Sequence, residues 1–199
     1  MLRTRANTKL TAATLAVVAL IAAPAPAARA ETDEVRARTG FGAIADWISH
    51  AKLRPPSPGP FVPVVGKVDY GTADNAFGAA RSGHVHSGQD MFAAIGTPLV
   101  AVRDAVVLDA GSDGGQGNYI HLYDPKRELT YVYMHMVEPT ALDRGENVSA
   151  GERVGGVGCT GSCWGEHLHF EVRRGRGWTG EPLDPLPMLR DWAPLERPR

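Results

Sequence analysis

The sequence has no long apolar run. Its most hydrophobic stretch, Leu10 to Ala23, is uncharged but shorter than the ~20 residues that a membrane span requires. It reads as the apolar part of an export signal. Arg3, Arg5 and Lys9 precede it, and Ala28-Arg29-Ala30 has the small-x-small form of a cleavage site, making Glu31 the expected mature N-terminus. No cysteine follows the run closely, which argues against a lipid anchor. A secreted or cell-envelope location is expected, with no stable membrane insertion after cleavage. Concentrated positive charge is also missing. Residues 1–30 carry four basic residues and no acidic one, so the mature chain keeps 17 basic against 22 acidic residues, a formal charge of −5. That balance gives no electrostatic case for binding nucleic acid. The glycine-rich stretch Gly111–Gly117 is not followed by a phosphate-binding lysine, which disfavours a phosphate loop. Cysteine is scarce: Cys159 and Cys163 are the only two. In an oxidising compartment they are expected to close a small disulfide loop, with a metal-binding pair as the competing reading.

What is present fits one ordinary domain with extra segments. Of 199 residues, 43 % are hydrophobic and 22 % charged, enough to bury a core. The 23 glycines and 15 prolines indicate a turn-rich, β-dominated chain. Ala43 to Leu53 reads as one short helix, with Ile44, Trp47 and Ile48 at helical spacing and His50 at its surface. Arg54-Pro-Pro-Ser-Pro-Gly-Pro60 follows, and its four prolines forbid helix or central strand. The expected organisation is a signal peptide (1–30), a helix and linker (31–60), a main domain (61–190) and a C-terminal tail (191–199). Within the main domain, β-type runs recur at Pro98–Val102, Ala105–Asp109, Asn118–Tyr123, Leu129–Met136, Arg153–Val157 and His167–Val172. Asp124-Pro-Lys-Arg127 is a hairpin turn between two of them. No long amphipathic helix and no solenoid repeat is evident. The fold class is therefore all-β, a mainly antiparallel sandwich or barrel-like sheet.

Side chains two apart on a strand share a face. In His167-Leu-His-Phe-Glu-Val172 this groups His167, His169 and Glu171 on one side and Leu168, Phe170 and Val172 on the apolar side. His86-Ser-Gly-Gln-Asp90 places a histidine and a carboxylate around a glycine turn, both ordinary zinc ligands. In Tyr131-Val-Tyr-Met-His135, alternation groups Tyr131, Tyr133 and His135, with Val132, Met134 and Met136 inward. His121 alternates with Ile120 and Leu122 and is expected to face outward. None of these clusters is specific alone.

Their order is specific. An HxGxD motif, a later histidine ending an aromatic strand, and an HxH followed by Phe-Glu together resemble the lysostaphin/LytM-type zinc metalloendopeptidases. The resemblance runs from about Phe61 to Leu189 and includes Arg81, Gly96 to Ala101, Gly117-Asn118 and Pro182 to Pro185. It implies a sheet of duplicated hybrid motif type and one Zn²⁺ per chain on His86, Asp90 and His169. It also implies His135 and His167 as the two catalytic histidines, and hydrolysis of peptidoglycan peptides. Three protein ligands leave a fourth position open, as a catalytic zinc site requires. The spacing to Asp90 selects His86 over His84, which is read as a cleft-edge residue. Tyr133 and Asn118 are expected to line the substrate groove. The cysteines before HxH depart from the common family pattern and are expected to tighten one groove wall.

Two rival readings remain at this level. A non-catalytic wall-binding or regulatory module could use the same fold, with residues 31–60 as a docking segment for a cell-wall protein partner. A structural zinc site could form from Cys159, Cys163, His167 and His169, although that leaves His86, Asp90 and His135 unexplained.

Overall fold

The computed structural model describes residues 59–196. The export signal, the helix expected at Ala43–Leu53 and all but the last two linker residues lie outside the described residues. The chain opens with a 3-10 turn at Ala73–Asn75, then β1 (Ala80–Arg81), β2 (His84–Val85), β3 (Gln89–Phe92), β4 (Pro98–Val100) and β5 (Ala105–Asp113). It continues through β6 (Gly117–Asp124), β7 (Leu129–Met136), β8 (Asn147–Val148), β9 (Arg153–Gly156), β10 (His167–Arg174), β11 (Pro182–Leu183) and a six-residue helix α1 (Leu186–Asp191).

Each long run expected from the sequence forms a strand, because β-branched and aromatic residues suit a pleated, half-buried surface. The β6–β7 hairpin turns at Asp124, whose carboxylate accepts the Lys126 amide at 2.8 Å. The main sheet runs β11-β10-β7-β6-β5-β8 and is antiparallel throughout. One edge of β10 is shared: β3 pairs with His167–Phe170, and β11 with Val172 and Arg173. A second, two-stranded sheet joins β4 to β9. The architecture is mainly antiparallel β-sheet with very little helix, as the sequence leads one to expect.

The core lies between the main sheet and the β4–β9 layer. Leu168, Phe170 and Val172 from β10, Ile120 and Leu122 from β6, and Leu99 beside β9 are all fully buried. Each such apolar side chain contributes roughly 1.5–3 kcal/mol of transfer free energy. Gly155 lets the layers meet closely, since a Cβ there would sit 2.5 Å from Met136 Sδ and that side chain would have to shift. Trp192 packs edge-on against Tyr131 and Phe170, and Val62 donates to Ala193 O at 3.0 Å. Residues 192–195, assigned to a tail from the sequence, therefore pack against the main unit. With one face of β10 committed to this core, its polar face is left to line a cleft.

Candidate metal centre

Asp90 on β3 stands directly opposite His169 on β10 in the strand register. His86, just before β3, is brought to the same point by backbone bonds between its amide and Ala79 O and between Gly78 N and its own carbonyl. The glycine of HxGxD makes this approach sterically feasible. A Cβ on Gly88 would lie 2.4 Å from Phe170 O and 2.9 Å from His169 Nε2. All three polar residues are buried.

Asp90 Oδ1 lies 3.0 Å from both His86 Nε2 and His169 Nδ1, and the two nitrogens are 2.9 Å apart. The outer nitrogen of each ring fixes its tautomer. His86 Nδ1 donates to Ala76 O at 2.8 Å, and His169 Nε2 donates to a Glu171 carboxylate oxygen at 3.0 Å. Since these partners accept, the inner nitrogens carry lone pairs. Two lone pairs and a carboxylate oxygen thus face one another, an arrangement that only a positive charge can reconcile. The ligand-type atoms of His86, Asp90 and His169 lie within 4.8 Å of one another, so the donor set fits a zinc ion.

A proton held between the inner nitrogens and Asp90 is the metal-free counterpart of that charge. Burial pushes the His169 imidazole down, but its hydrogen bonds to Asp90 and Glu171 outweigh burial and raise it above the ordinary range. Burial would raise the Asp90 carboxyl, yet hydrogen bonds to His169 and His86 hold it well below the usual carboxylate range. Arg81 adds a bond to Asp90 Oδ2 at 3.0 Å. Behind His169, Glu171 is gripped by Ser87 Oγ–H and Arg173 Nε–H, each at 2.5 Å. Alternation puts Glu171 on this face, and the fold adds Ser87 and Arg173 as its partners. Such a carboxylate behind a histidine orients the ring and raises its basicity.

His135 and His167 stand beside this cluster, ring centroids 5.0 Å apart. His135 Nδ1 donates to Thr160 O and His167 Nδ1 to Gly165 O, each at 2.8 Å, which leaves both Nε2 atoms as acceptors. Burial, reinforced by neighbouring His167, pushes His135 down to about 4, and burial also lowers His167. Both rings are therefore neutral in the neutral pH range. The cleft has a volume of about 740 Å³ and is also lined by His84, Gln116, Trp164 and Trp178. His84 is exposed at its edge and is not one of the three converging groups. The two tryptophans were not singled out in the sequence; Trp164, 95 % exposed beside the loop cysteines, is the more visible signal.

Four expectations need correction. Tyr131 and Tyr133 do not share the histidine's face; both point into the core, while Met134 lines the cleft. His135 reaches the cleft because its φ of 64° and a register shift in the β6–β7 pairing break the alternation. Tyr133 is consequently no groove residue: it is fully buried, donating from its hydroxyl to Val100 O at 3.0 Å and accepting from Val102 N at 3.1 Å. Asn118 likewise turns its amide to Met136 O at 3.1 Å instead of lining the cleft. His121 is not outward-facing in solvent: Trp178 stacks on it at 5.4 Å, and it is only 4 % exposed. Replacing Tyr133 by Phe is expected to lower stability by about 1–3 kcal/mol, because two buried backbone groups lose their partner. A denaturant midpoint should fall while catalytic turnover stays at the parent value; an altered KM with unchanged stability would restore the groove assignment.

Cys159 and Cys163 are joined in a disulfide, so the four-ligand site built on these cysteines is not formed.

Known proteins are similar to parts of this chain. The chain is 37 % identical over 103 residues to the DD-carboxypeptidase/endopeptidase Mpg of Neisseria meningitidis serogroup B, a match covering 51 % of this chain and 22 % of that protein. It thus spans about a fifth of the length of this relative. Among solved structures it is similar to the catalytic domain of lysostaphin from Staphylococcus simulans, at 31 % identity and a TM-score of 0.53, covering 62 % of this chain and 92 % of that domain. A zinc-containing peptidase from Vibrio cholerae gives 25 % identity and a TM-score of 0.53, over 63 % of this chain and 39 % of that one. The sequence pattern of peptidase family M23 matches residues 84–185, about half the chain and a span enclosing the whole histidine and carboxylate cluster. The chain belongs to peptidase family M23.

Proposed function

We propose that this protein is an exported zinc peptidase that hydrolyses peptide bonds in bacterial peptidoglycan, in a cross-bridge or a stem peptide. The observation that carries this reading is the convergence of two histidine lone pairs and the Asp90 carboxylate beside two further neutral histidines. His86, Asp90 and His169 would hold a zinc ion, which would supply an acidified water, pKa about 7, and Lewis acidity toward the scissile carbonyl. The chain's own groups do the rest. His135 and His167, each with Nε2 free, accept a proton from the attacking water. Once protonated, either donates to the leaving amine or to the oxyanion that develops on the scissile carbonyl. Arg81 and Glu171 hold Asp90 and His169 in place by charge-assisted bonds. The names of the similar proteins, a DD-carboxypeptidase/endopeptidase and lysostaphin, support a wall peptide as substrate. A disulfide in the loop before β10 supports an oxidising, extracytoplasmic location. The reading includes cleavage after Ala30, a helix and linker over 31–60, and a peptidase domain from residue 61.

The purified full chain should contain about one zinc ion, since three ligands form one cluster. A strong chelator should remove the ion and wall-digesting activity together, and added zinc should restore both. Digestion of walls of several chemotypes, with mass spectrometry of the new termini, identifies the bond that is cut. Undiminished hydrolysis by the metal-free protein, or no new peptide termini from any wall type, would sink the proposal.

A further inference from the structure

One short segment orients both histidines that flank the metal site. Thr160, whose carbonyl accepts from His135 Nδ1, lies inside the ring closed by the Cys159–Cys163 disulfide. Gly165, whose carbonyl accepts from His167 Nδ1, follows that ring by two residues, and Cys163 Sγ is 3.8 Å from the same nitrogen. Backbone carbonyls point wherever the local φ and ψ angles send them. Here the sequence is Cys-Thr-Gly-Ser-Cys-Trp-Gly, with positive φ at Gly161 and Gly165, a segment with little local stiffness of its own.

The segment is clamped from both ends. The disulfide closes one side. On the other, Thr160 Oγ1 donates to Met136 O at 2.9 Å and accepts from Asn118 N at 2.8 Å, while Ser162 N donates to Gly115 O at 3.0 Å. The two backbones are nearly in contact. A Cβ on Gly161 would sit 2.2 Å from Gly117 N, and one on Gly117 would sit 2.3 Å from Thr160 O. The three converging groups lean on other parts of the chain: His86 on Ala76 O, Asp90 on Arg81, and His169 on Glu171.

We propose that the disulfide-closed segment Cys159–Gly165 is a positioning device for His135 and His167. It fixes the Nδ1–H tautomer and ring angle of both at once, so that oxidation of Cys159 and Cys163 sets turnover and leaves metal affinity untouched. The inference rests on the catalytic reading of these two histidines. Outer contacts of this kind are worth roughly 10–100-fold in activity when lost.

The test compares the zinc-loaded full chain in oxidised form, after reduction by a water-soluble trialkylphosphine, and as the Cys159→Ser/Cys163→Ser double variant. In the reduction, the phosphine takes oxygen from water to become its oxide, and the two hydrogens of that water convert the disulfide to two thiols. Long-range nitrogen–proton NMR correlation of the histidine rings, assigned with His135→Ala and His167→Ala, reads the tautomers. The oxidised protein should show Nδ1–H at both rings. Opening the disulfide should mix in the Nε2–H form and lower kcat roughly 10–100-fold on a soluble cross-linked muropeptide, with KM and zinc content unchanged. Gly161→Ala, which keeps the disulfide but forces the segment off Gly117, should give the same split. Unchanged tautomers and kcat after reduction and in Gly161→Ala would overturn the proposal, as would zinc loss in place of a kcat effect. An oxidised enzyme with both rings pinned that cuts no wall peptide would overturn the catalytic reading, while the tautomer signals judge the positioning by themselves.

Discussion

Replacing His169 by alanine is expected to abolish zinc retention and wall hydrolysis together. Its Nδ1 lies 3.0 Å from Asp90 Oδ1 and 2.9 Å from His86 Nε2, so truncation removes one of three converging atoms. It also strips Glu171 of its imidazole partner and leaves that buried carboxylate to Ser87 and Arg173. Even partners one step behind a ligand cost about 10–100-fold in affinity when removed, so loss of a ligand should exceed that range. His86→Ala and Asp90→Ala should behave in the same way. His167→Ala is the discriminating control, because it sits two residues away on the same face and its Nε2 is 3.5 Å from Asp90 Oδ1. It should keep zinc and lose turnover. Elemental analysis after dialysis against a weak chelator reads the difference. Zinc retained in His169→Ala but lost in His167→Ala would reverse the assignment of the pair.

Replacing His135 by alanine should slow turnover by roughly 10²–10⁴-fold, the usual worth of a positioned acid or base, without releasing zinc. His135 touches none of the three converging atoms through a hydrogen bond; its Nδ1 goes to Thr160 O, and its ring centroid is 6.0 Å from that of His169. Burial keeps the ring neutral, its pKa down to about 4, so the Nε2 lone pair is available near neutral pH. The backbone at this position complicates a simple truncation, since its φ of 64° disfavours most side chains. Asparagine tolerates that conformation better, so His135→Asn serves as the fold-preserving companion. Both variants should keep zinc, and Asn should keep the parent denaturant midpoint more closely. Wall digestion by His135→Asn at the parent rate would remove the residue from the chemistry.

Much of the fold is legible because strand alternation is a local property. Leu168, Phe170 and Val172 bury, and His167, His169 and Glu171 share the opposite face, as a regular strand dictates. The same rule fails on β7, where one left-handed residue reverses the faces after Met134 and sends His135 to the cleft and Met136 to the core. Periodicity contains no sign of that reversal. Nor could it tell that Tyr133 spends its hydroxyl on the backbone at Val100 and Val102, about thirty residues away. The burial of His121 under Trp178 depends on the loop after β10 folding back over β6, a contact between segments distant in sequence.

The sequence alone determined the all-β class, the strand positions, the apolar face of β10 and the candidate residues, because each depends on residue type and near-neighbour spacing. Only the tertiary structure decided how those candidates act together. His86 and His169 are 83 positions apart, and their nitrogens meet because β3 pairs with β10 in one register and Gly88 permits the close approach. The tautomers of His86 and His135 are set by acceptors on other segments, Ala76 O and Thr160 O, whereas those of His167 and His169 are set two residues away, by Gly165 O and the Glu171 carboxylate, once the fold has placed these groups. A hydrogen bond fixes a ring only where its partner's position is fixed, and that position comes from the packed chain.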